Sequence, residues 1–312
     1  MIFVYIAAGL AVLYIAVSFL MTAILFFRTK PKLDPSAKLG KGLSDLVAPY
    51  RNITDEGSDW IRNLKHEDVY ITSYDGLKLK ASVYENPNAK AVLIGFHGYR
   101  SGHINDFAGA FRYYYEAGFT MIMPDHRATG ESEGKYITFG VKESDDAVKW
   151  AQYAKERYND LPVALAGISM GAATVMMAAE KAPDNVKAIL EDCGYDDIWS
   201  EIAFAANKSL PGACIFVPGT FLLTRMICGF DIREKKSSDS LCKSGLPVFI
   251  AHGTADAIVP VEHADRIAKA CTGPVTLLKV ENAGHGISFL AEPEKYKAAI
   301  GSFLDTYVFS KR

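Results

Sequence analysis

Apolar residues fall along the chain in three kinds of run. The first is unbroken: residues 2–27 hold no charged side chain over 26 positions, and a helix of that length reaches roughly 39 Å at 1.5 Å per residue, enough to cross a bilayer with some tilt. The second alternates. Residues 68–74 and 78–84 switch between apolar and polar side chains around Asp75-Gly76, which predicts an antiparallel hairpin. The third is short and apolar on both faces, at 91–96, 120–123, 162–166, 186–190, 247–251 and 275–280. Helical periodicity lies between these runs, at 107–117, 145–158, 172–181, 261–270 and 293–309. Buried strands alternating with helices predict a parallel sheet covered on both faces, opened by one antiparallel pair.

One stretch breaks the rhythm. Residues 195–243 contain no clear strand, two helical patterns at 198–208 and 217–228, and a Pro211-Gly212 joint; this is too long for a simple connection and reads as an inserted helical cap. Its run from Phe216 to Leu223 is expected either to roof the site or to give the domain's own core a packing face. Three parts follow: a transmembrane anchor at 1–28, a juxtamembrane linker with a short helix at 29–63, and an α/β domain at 64–312.

Composition fits this division. With 49% apolar and 22% charged side chains, the chain fills one large α/β domain. A formal charge of -2 with no basic stripe gives no support to nucleic-acid binding. The apolar amino-terminal run is too long for the core of a cleaved signal peptide, lacks a basic segment before it and ends in Phe26-Phe27-Arg28 without a small-residue cleavage site. Nor is it amphipathic, as a helix buried in a soluble core would be. Arg28, Lys30, Lys32, Lys38 and Lys41 follow it, which places the α/β domain on the cytoplasmic side of a single span. Cys193, Cys214, Cys228, Cys242 and Cys271 are odd in number and form no Cys-x-x-Cys pair, so reduced thiols are expected rather than a disulfide framework or a zinc site.

The chemistry centres on residues 161–182, LPVALAGISMGAATVMMAAEKA, where a strand-like run meets a small-residue helix at Gly167-Ile168-Ser169-Met170-Gly171. A Gly-x-Ser-x-Gly segment is common by chance and often only a turn, but the strand-to-helix setting makes it a nucleophile elbow. A serine hydroxyl needs a base, and the base needs an acid to fix its tautomer. His285, flanked by Gly284 and Gly286 after the last strand, is the candidate base; Asp256, in the loop after the preceding strand, is the candidate acid, with Asp192 in reserve. His66 and His263 sit in surface-like polar contexts, His126 in an Asp-His-Arg loop, and His252 at a strand end that suits a structural role. Two N–H donors would receive a developing oxyanion: Met170, directly after the serine, and Tyr99, in the loop after strand 91–96. His97 beside it has no His or Cys at metal spacing and reads as structural.

With these residues placed, the chain from about Asp68 onward resembles the α/β hydrolases, and within them the membrane-anchored bacterial members labelled serine aminopeptidase-like. The matching features are His97-Gly98, Asp125-His126-Arg127 with Gly130-Glu131-Ser132, the elbow, the Asp256 loop and Ala283-Gly284-His285. The resemblance implies an eight-stranded sheet, the Ser169–Asp256–His285 triad, a cap before the Asp256 strand and no cofactor. It departs at Ala128, where relatives often carry glycine. The expected activity is hydrolysis of an ester or thioester with an apolar, lipid-like acyl part. A peptidase acting on free amino termini is the alternative, for which Asp196, Asp197 and Glu201 could bind the amine, although a solvated cap face explains them equally well; a tethered binding protein on an inactive scaffold is a third reading.

Overall fold

The computed structural model describes residues 1–28, 45–159 and 161–310; most of the linker expected at 29–63 therefore lies outside the described residues. Strands β1 (Glu67–Thr72), β2 (Lys78–Tyr84), β3 (Ala91–Phe96), β4 (Phe119–Pro124), β5 (Val163–Ile168), β6 (Val186–Asp192), β7 (Val248–Gly253) and β8 (Val275–Val280) form one sheet in the order β1-β2-β4-β3-β5-β6-β7-β8. Only β2 pairs antiparallel to its neighbours, β1 and β4; the pairings from β4 through β8 are parallel. The expected eight-stranded, mostly parallel sheet is what forms. The hairpin turn is longer than two residues. Ser73 Oγ donates to Asp75 and accepts the Leu77 N–H at 2.8 Å, so β1 ends before the turn that Gly76 completes at φ 87.

Each sheet face has its own core. On one side Trp150 of α5 (Glu143–Tyr158), Val175 and Met176 of α6 (Met170–Ala178), and Ile267 of α10 (Glu262–Ala270) pack on Val92, Ile94, Leu165 and Ile250. On the other, Phe111 and Tyr114 of α4 (Phe111–Ala117) and Ile300 and Phe303 of α12 (Pro293–Tyr307) pack on Leu93, Met121, Ala166 and Phe249. Further helices among the described residues include α1 (Ile2–Phe26), α2 (Arg51–Asn63), the single turns α3 (His103–Asp106) and α11 (Ser288–Ala291), and the cap elements α7 (Ile198–Ser209), α8 (Val217–Leu223) and α9 (Ser237–Ser244).

α1 is long and apolar enough to span a membrane, and its first turns are exposed. Its carboxy-terminal half is not a free tether. Tyr14, Ser18 and Thr22, spaced four apart and so on one face, meet the cap: the Gly219 N–H donates to Tyr14 Oη at 3.0 Å, Ser18 Oγ to Phe216 O at 3.3 Å and Thr22 Oγ1 to Thr220 O at 3.2 Å. Phe26 is fully buried against Phe139 and Phe230.

Arg127 ties the hairpin to α5. It is 3% exposed, gives two hydrogen bonds of 2.7 Å to Asp146 and reaches Asp75 at 2.9 Å. Ala128, where the resemblance led us to expect glycine, adopts φ 60, a left-handed conformation that costs an L-residue about 1–2 kcal/mol; the Arg127 pair and the bond from Ala128 N–H to Glu133 O (2.8 Å) hold it there. Replacing Arg127 with methionine strands a buried carboxylate, and we expect a loss of about 3–5 kcal/mol in urea unfolding. An unchanged midpoint would contradict that role.

Candidate active site

β5 delivers Ser169 to the carboxyl edge of the sheet, and α6 starts at the next residue. A chain reversing this sharply forces Ser169 to φ 57, ψ -116, a sparsely populated region for a non-glycine residue. Gly167 and Gly171 make the reversal possible: a side chain on Gly167 would overlap the Gly171 backbone, and one on Gly171 would overlap the Phe96 carbonyl. The Ser169 N–H donates to Asp192 O at 2.9 Å, pinning the elbow to β6.

Asp256 follows β7 and His285 follows β8, so the three chemical groups come from the carboxyl ends of three strands. His285 Nδ1 lies 2.7 Å from Asp256 Oδ2, and His285 Nε2 lies 2.8 Å from Ser169 Oγ. The other Asp256 oxygen accepts the N–H groups of Ile258 (2.8 Å) and Val259 (2.9 Å). Burial alone would raise the Asp256 pKa, but hydrogen bonds from His252, His285 and the Ile258 amide outweigh it and hold the carboxyl well below the usual range. His252 is buried, with Nε2 2.9 Å from Val259 O and 3.4 Å from Asp256 Oδ2. Burial disfavours its charge, yet Asp256, Glu191 and the Val259 carbonyl push its pKa up to about 9. Asp192, the reserve acid, instead accepts from Ser288 Oγ at 2.7 Å.

The loop after β3 lies beside the serine: a methyl on Gly98 would stand 3.5 Å from Ser169 Cβ. Asp106 fixes this loop, accepting the Gly98 N–H at 2.6 Å and the Ser101 hydroxyl at 2.6 Å. Tyr99, Ser169 and His285 border one cavity, and Met170 opens the first turn of α6. His97 is buried beneath the loop, its ring 4.6 Å from that of His126, whose N–H reaches His97 Nε2 at 3.3 Å; both rings are packing and hydrogen-bonding groups. Cys193 Sγ lies 3.9 Å from His285 Nε2. Cys193, Asp256 and His285 are the group among the described residues close enough to share a metal ion, but two of them already belong to the chain of hydrogen bonds that ends on Ser169.

Three expectations need correction. His263 is not on the surface: it is 3% exposed, its Nδ1 accepts the Asp196 N–H at 3.0 Å, and burial, reinforced by the Arg266 charge, lowers its pKa to about 4. The carboxylates proposed as amine ligands do not line the cavity. Asp196 accepts the Ser238 N–H, Asp197 caps α7 through Ser200, and Glu201 is buried. Nor does the run from Phe216 to Leu223 line the cavity: backbone groups of Phe216, Gly219 and Thr220 meet Tyr14, Ser18 and Thr22 of α1, while Val217 and Phe221 join the core cluster that holds Met170 and Phe26, the packing role that was the other expectation for this run. The cavity, about 940 Å³, is walled instead by α2, which presents Arg51, Asp55, Asp59 and Arg62, while Phe107, Tyr114, Phe289, Leu290 and Tyr296 line it elsewhere.

The short helix expected within 29–63 is α2; what the sequence did not disclose is that this helix walls the cavity. Its helical signal was present: Thr54, Gly57, Ser58 and Ile61 repeat at helical spacing, and Gly57 packs so closely on the Ala108 carbonyl that no side chain fits. His103 was also passed over; it is buried with Nε2 2.9 Å from Tyr84 Oη, and burial lowers its pKa to about 3.

Comparison with known proteins agrees with this fold. A family model described as serine aminopeptidase, S33, matches residues 87–191, about a third of the chain, including the loop after β3 and the elbow. An uncharacterised Bacillus subtilis protein, YqkD, is 26% identical over 262 residues, covering 81% of this chain and 84% of its own. Among solved structures, the Pyrococcus furiosus esterase Pf2001 superposes with a TM-score of 0.63 at 23% identity, over 78% of this chain and 92% of that one. Est1E from Butyrivibrio proteoclasticus, solved with ferulic acid bound, gives 0.58 at 22% identity, over 76% and 98%.

Glu201 makes the site's surroundings sensitive to pH. Burial first, then the Asp256 and Asp197 charges, raise its pKa to about 8 against the partial opposition of His252, and its Oε2 is enclosed without a protein partner. A raised carboxyl pKa contributes stability that is complete below the unfolded value of 4.5 and is lost as pH rises through about 8. Glu201→Gln should therefore melt progressively higher than the unsubstituted protein as pH rises across that window; a difference independent of pH would refute the assignment.

Proposed function

We propose that this chain, whose fold is that of the α/β hydrolases, is a serine hydrolase that cleaves a carboxylic ester or thioester through an acyl-serine intermediate. The observation that carries the reading is the unbroken relay from Asp256 through His285 to Ser169, at 2.7 and 2.8 Å. In this mechanism His285 Nε2 takes the Ser169 proton as the hydroxyl oxygen attacks the acyl carbon, and Asp256 holds the tautomer and stabilises the imidazolium. The Tyr99 and Met170 N–H groups receive the oxyanion. His285 then protonates the leaving oxygen or sulfur, and water repeats the sequence to free the acid. Side chains and water suffice, so the reaction calls for no cofactor.

Phe107, Tyr114, Phe289, Leu290 and Tyr296 in the cavity wall support an apolar acyl group, and the charged α2 wall suits a polar alcohol or thiol portion. Pf2001 is named an esterase and Est1E holds a phenolic acid, which favours ester chemistry. A peptidase remains the second reading, because Asp55 and Asp59 line the cavity and offer carboxylates to an amine. Membrane attachment through α1, with the hydrolase on the cytoplasmic side, rests on its length, its apolar sequence and the basic residues after it.

A fluorophosphonate should label the full chain at Ser169, and a series of p-nitrophenyl esters should show a preferred chain length. Ser169→Ala should abolish both, and Asp256→Asn should lower kcat about 10³–10⁴-fold with little change in KM. A folded protein that neither labels nor hydrolyses esters would refute the proposal. Faster release of aminoacyl naphthylamides than of esters would move it to the peptidase.

A further inference from the structure

Two side chains of the loop after β3 leave the loop entirely. The Tyr99 hydroxyl donates to Leu25 O at 2.9 Å and lies 3.3 Å from Ile24 O; Arg100 Nη2 donates to Ile24 O at 2.6 Å and to Phe27 O at 3.1 Å. Their acceptors are at the carboxy-terminal end of α1, where carbonyls lack intrahelical N–H partners and the helix dipole concentrates negative charge. A guanidinium placed there caps the helix and answers that charge.

The other carbonyls of this end are also engaged. Ala23 O accepts the Phe27 N–H at 3.3 Å, and Phe26 O accepts the Ile137 N–H at 2.7 Å. Arg28 continues the contact, its N–H reaching Lys135 O at 2.8 Å and its guanidinium reaching Ser132 O and Gly130 O, each at 2.9 Å. A tether needs none of these bonds, whereas a structural support needs them all. The rings complete it: the Arg100 guanidinium lies 4.8 Å over the Tyr99 ring, that ring stacks at 4.9 Å on Phe139, and Phe139 packs edge-on against Phe26 at 5.3 Å. Arg100 itself sits at φ 53, a conformation worth about 1–2 kcal/mol of strain that its contacts must sustain.

The loop is thus gripped from two sides, by Asp106 at Gly98 and by α1 at Tyr99 and Arg100. We infer that Arg100 and the Tyr99 hydroxyl are positioning residues, which cap the carboxy-terminal carbonyls of α1 and thereby hold the Tyr99 N–H where it meets the oxyanion. The amino-terminal helix is then part of the catalytic apparatus. This rests on the serine-hydrolase reading, with Tyr99 N–H as an oxyanion donor.

The test is steady-state ester hydrolysis by the full chain in detergent micelles. An oxyanion donor is worth roughly 10²–10³ in kcat when removed outright, so a donor left loosely held should cost less. Arg100→Ala is expected to lower kcat about tenfold or more, with KM within about twofold and thermal unfolding little changed. Arg100→Lys should recover part of the loss, as should ethylguanidinium added to Arg100→Ala, because either returns a cation to the helix end. Tyr99→Phe should give a smaller fall. A folded Arg100→Ala with the kcat of the unsubstituted protein, or with its whole effect in KM, overturns the inference. Should Arg100→Ala fail to fold, a lowered kcat in either Arg100→Lys or Tyr99→Phe supports it and an unchanged kcat in both overturns it. An unsubstituted chain that neither hydrolyses esters nor labels at Ser169 would instead sink the hydrolase reading on which it stands.

Discussion

The constraint on which the rest of the structure depends is the backbone at Ser169. Holding a serine at φ 57 between a strand and a helix requires the Gly171 Cα to lie against the Phe96 carbonyl of β3, so the elbow forms only where β3 and β5 are already paired. That same closeness brings the loop after β3 beside the Ser169 side chain. The order β3-β5-β6-β7-β8 then sets the carboxyl ends of the strands side by side, and the loops after β7 and β8 have only to reach inward. Gly253 packs on the carbonyls of Ala283 and Gly284, which locks the Asp256 loop to the His285 loop. Geometry at the serine therefore follows from sheet register more than from any contact local to the site.

This dependence explains what the chain disclosed before its structure was known. Ser169, Asp256 and His285 were legible because each requirement leaves a mark: glycines at the elbow, an acid and a histidine in loops directly after apolar strands. The sheet was legible because buried parallel strands are apolar runs. Strand ends were less so; β1 stops at Thr72 rather than Tyr74 because Ser73 turns its hydroxyl back onto the Leu77 N–H, and a side-chain bond of that kind leaves no periodicity. His263 read as exposed because its neighbours are polar, yet those neighbours, Glu262 and Asp265, face outward from an amphipathic helix that buries the histidine.

What periodicity could not assign was partnership. The apolar run of the cap and the small-residue face of α2 both advertise packing surfaces without saying what they pack on. An apolar roof over the site and a packing face for the core were both open assignments, and neither gave Tyr14, Ser18 and Thr22 of α1 a reason to share a face. In the fold these three polar groups meet cap backbone groups, the buried side chains of the run join a core cluster with Met170 and Phe26, and α2 is left to wall the cavity. A helix read as an anchor and the short helix expected after the linker thus bracket the hydrolase domain, one gripping the loop beside the serine and the other shaping the space where substrate would lie. The cavity takes its charged wall from α2 rather than from the cap.

The most direct measurement of the central claim is pre-steady-state release of p-nitrophenolate when the full chain is mixed with a p-nitrophenyl ester. If Ser169 forms an acyl intermediate whose hydrolysis is slow, a burst equal to one product molecule per protein chain precedes the steady rate, and the acyl group is recovered on the peptide that contains Ser169. Turnover in which the acyl group is never found on Ser169, or persists unchanged in Ser169→Ala, would contradict it.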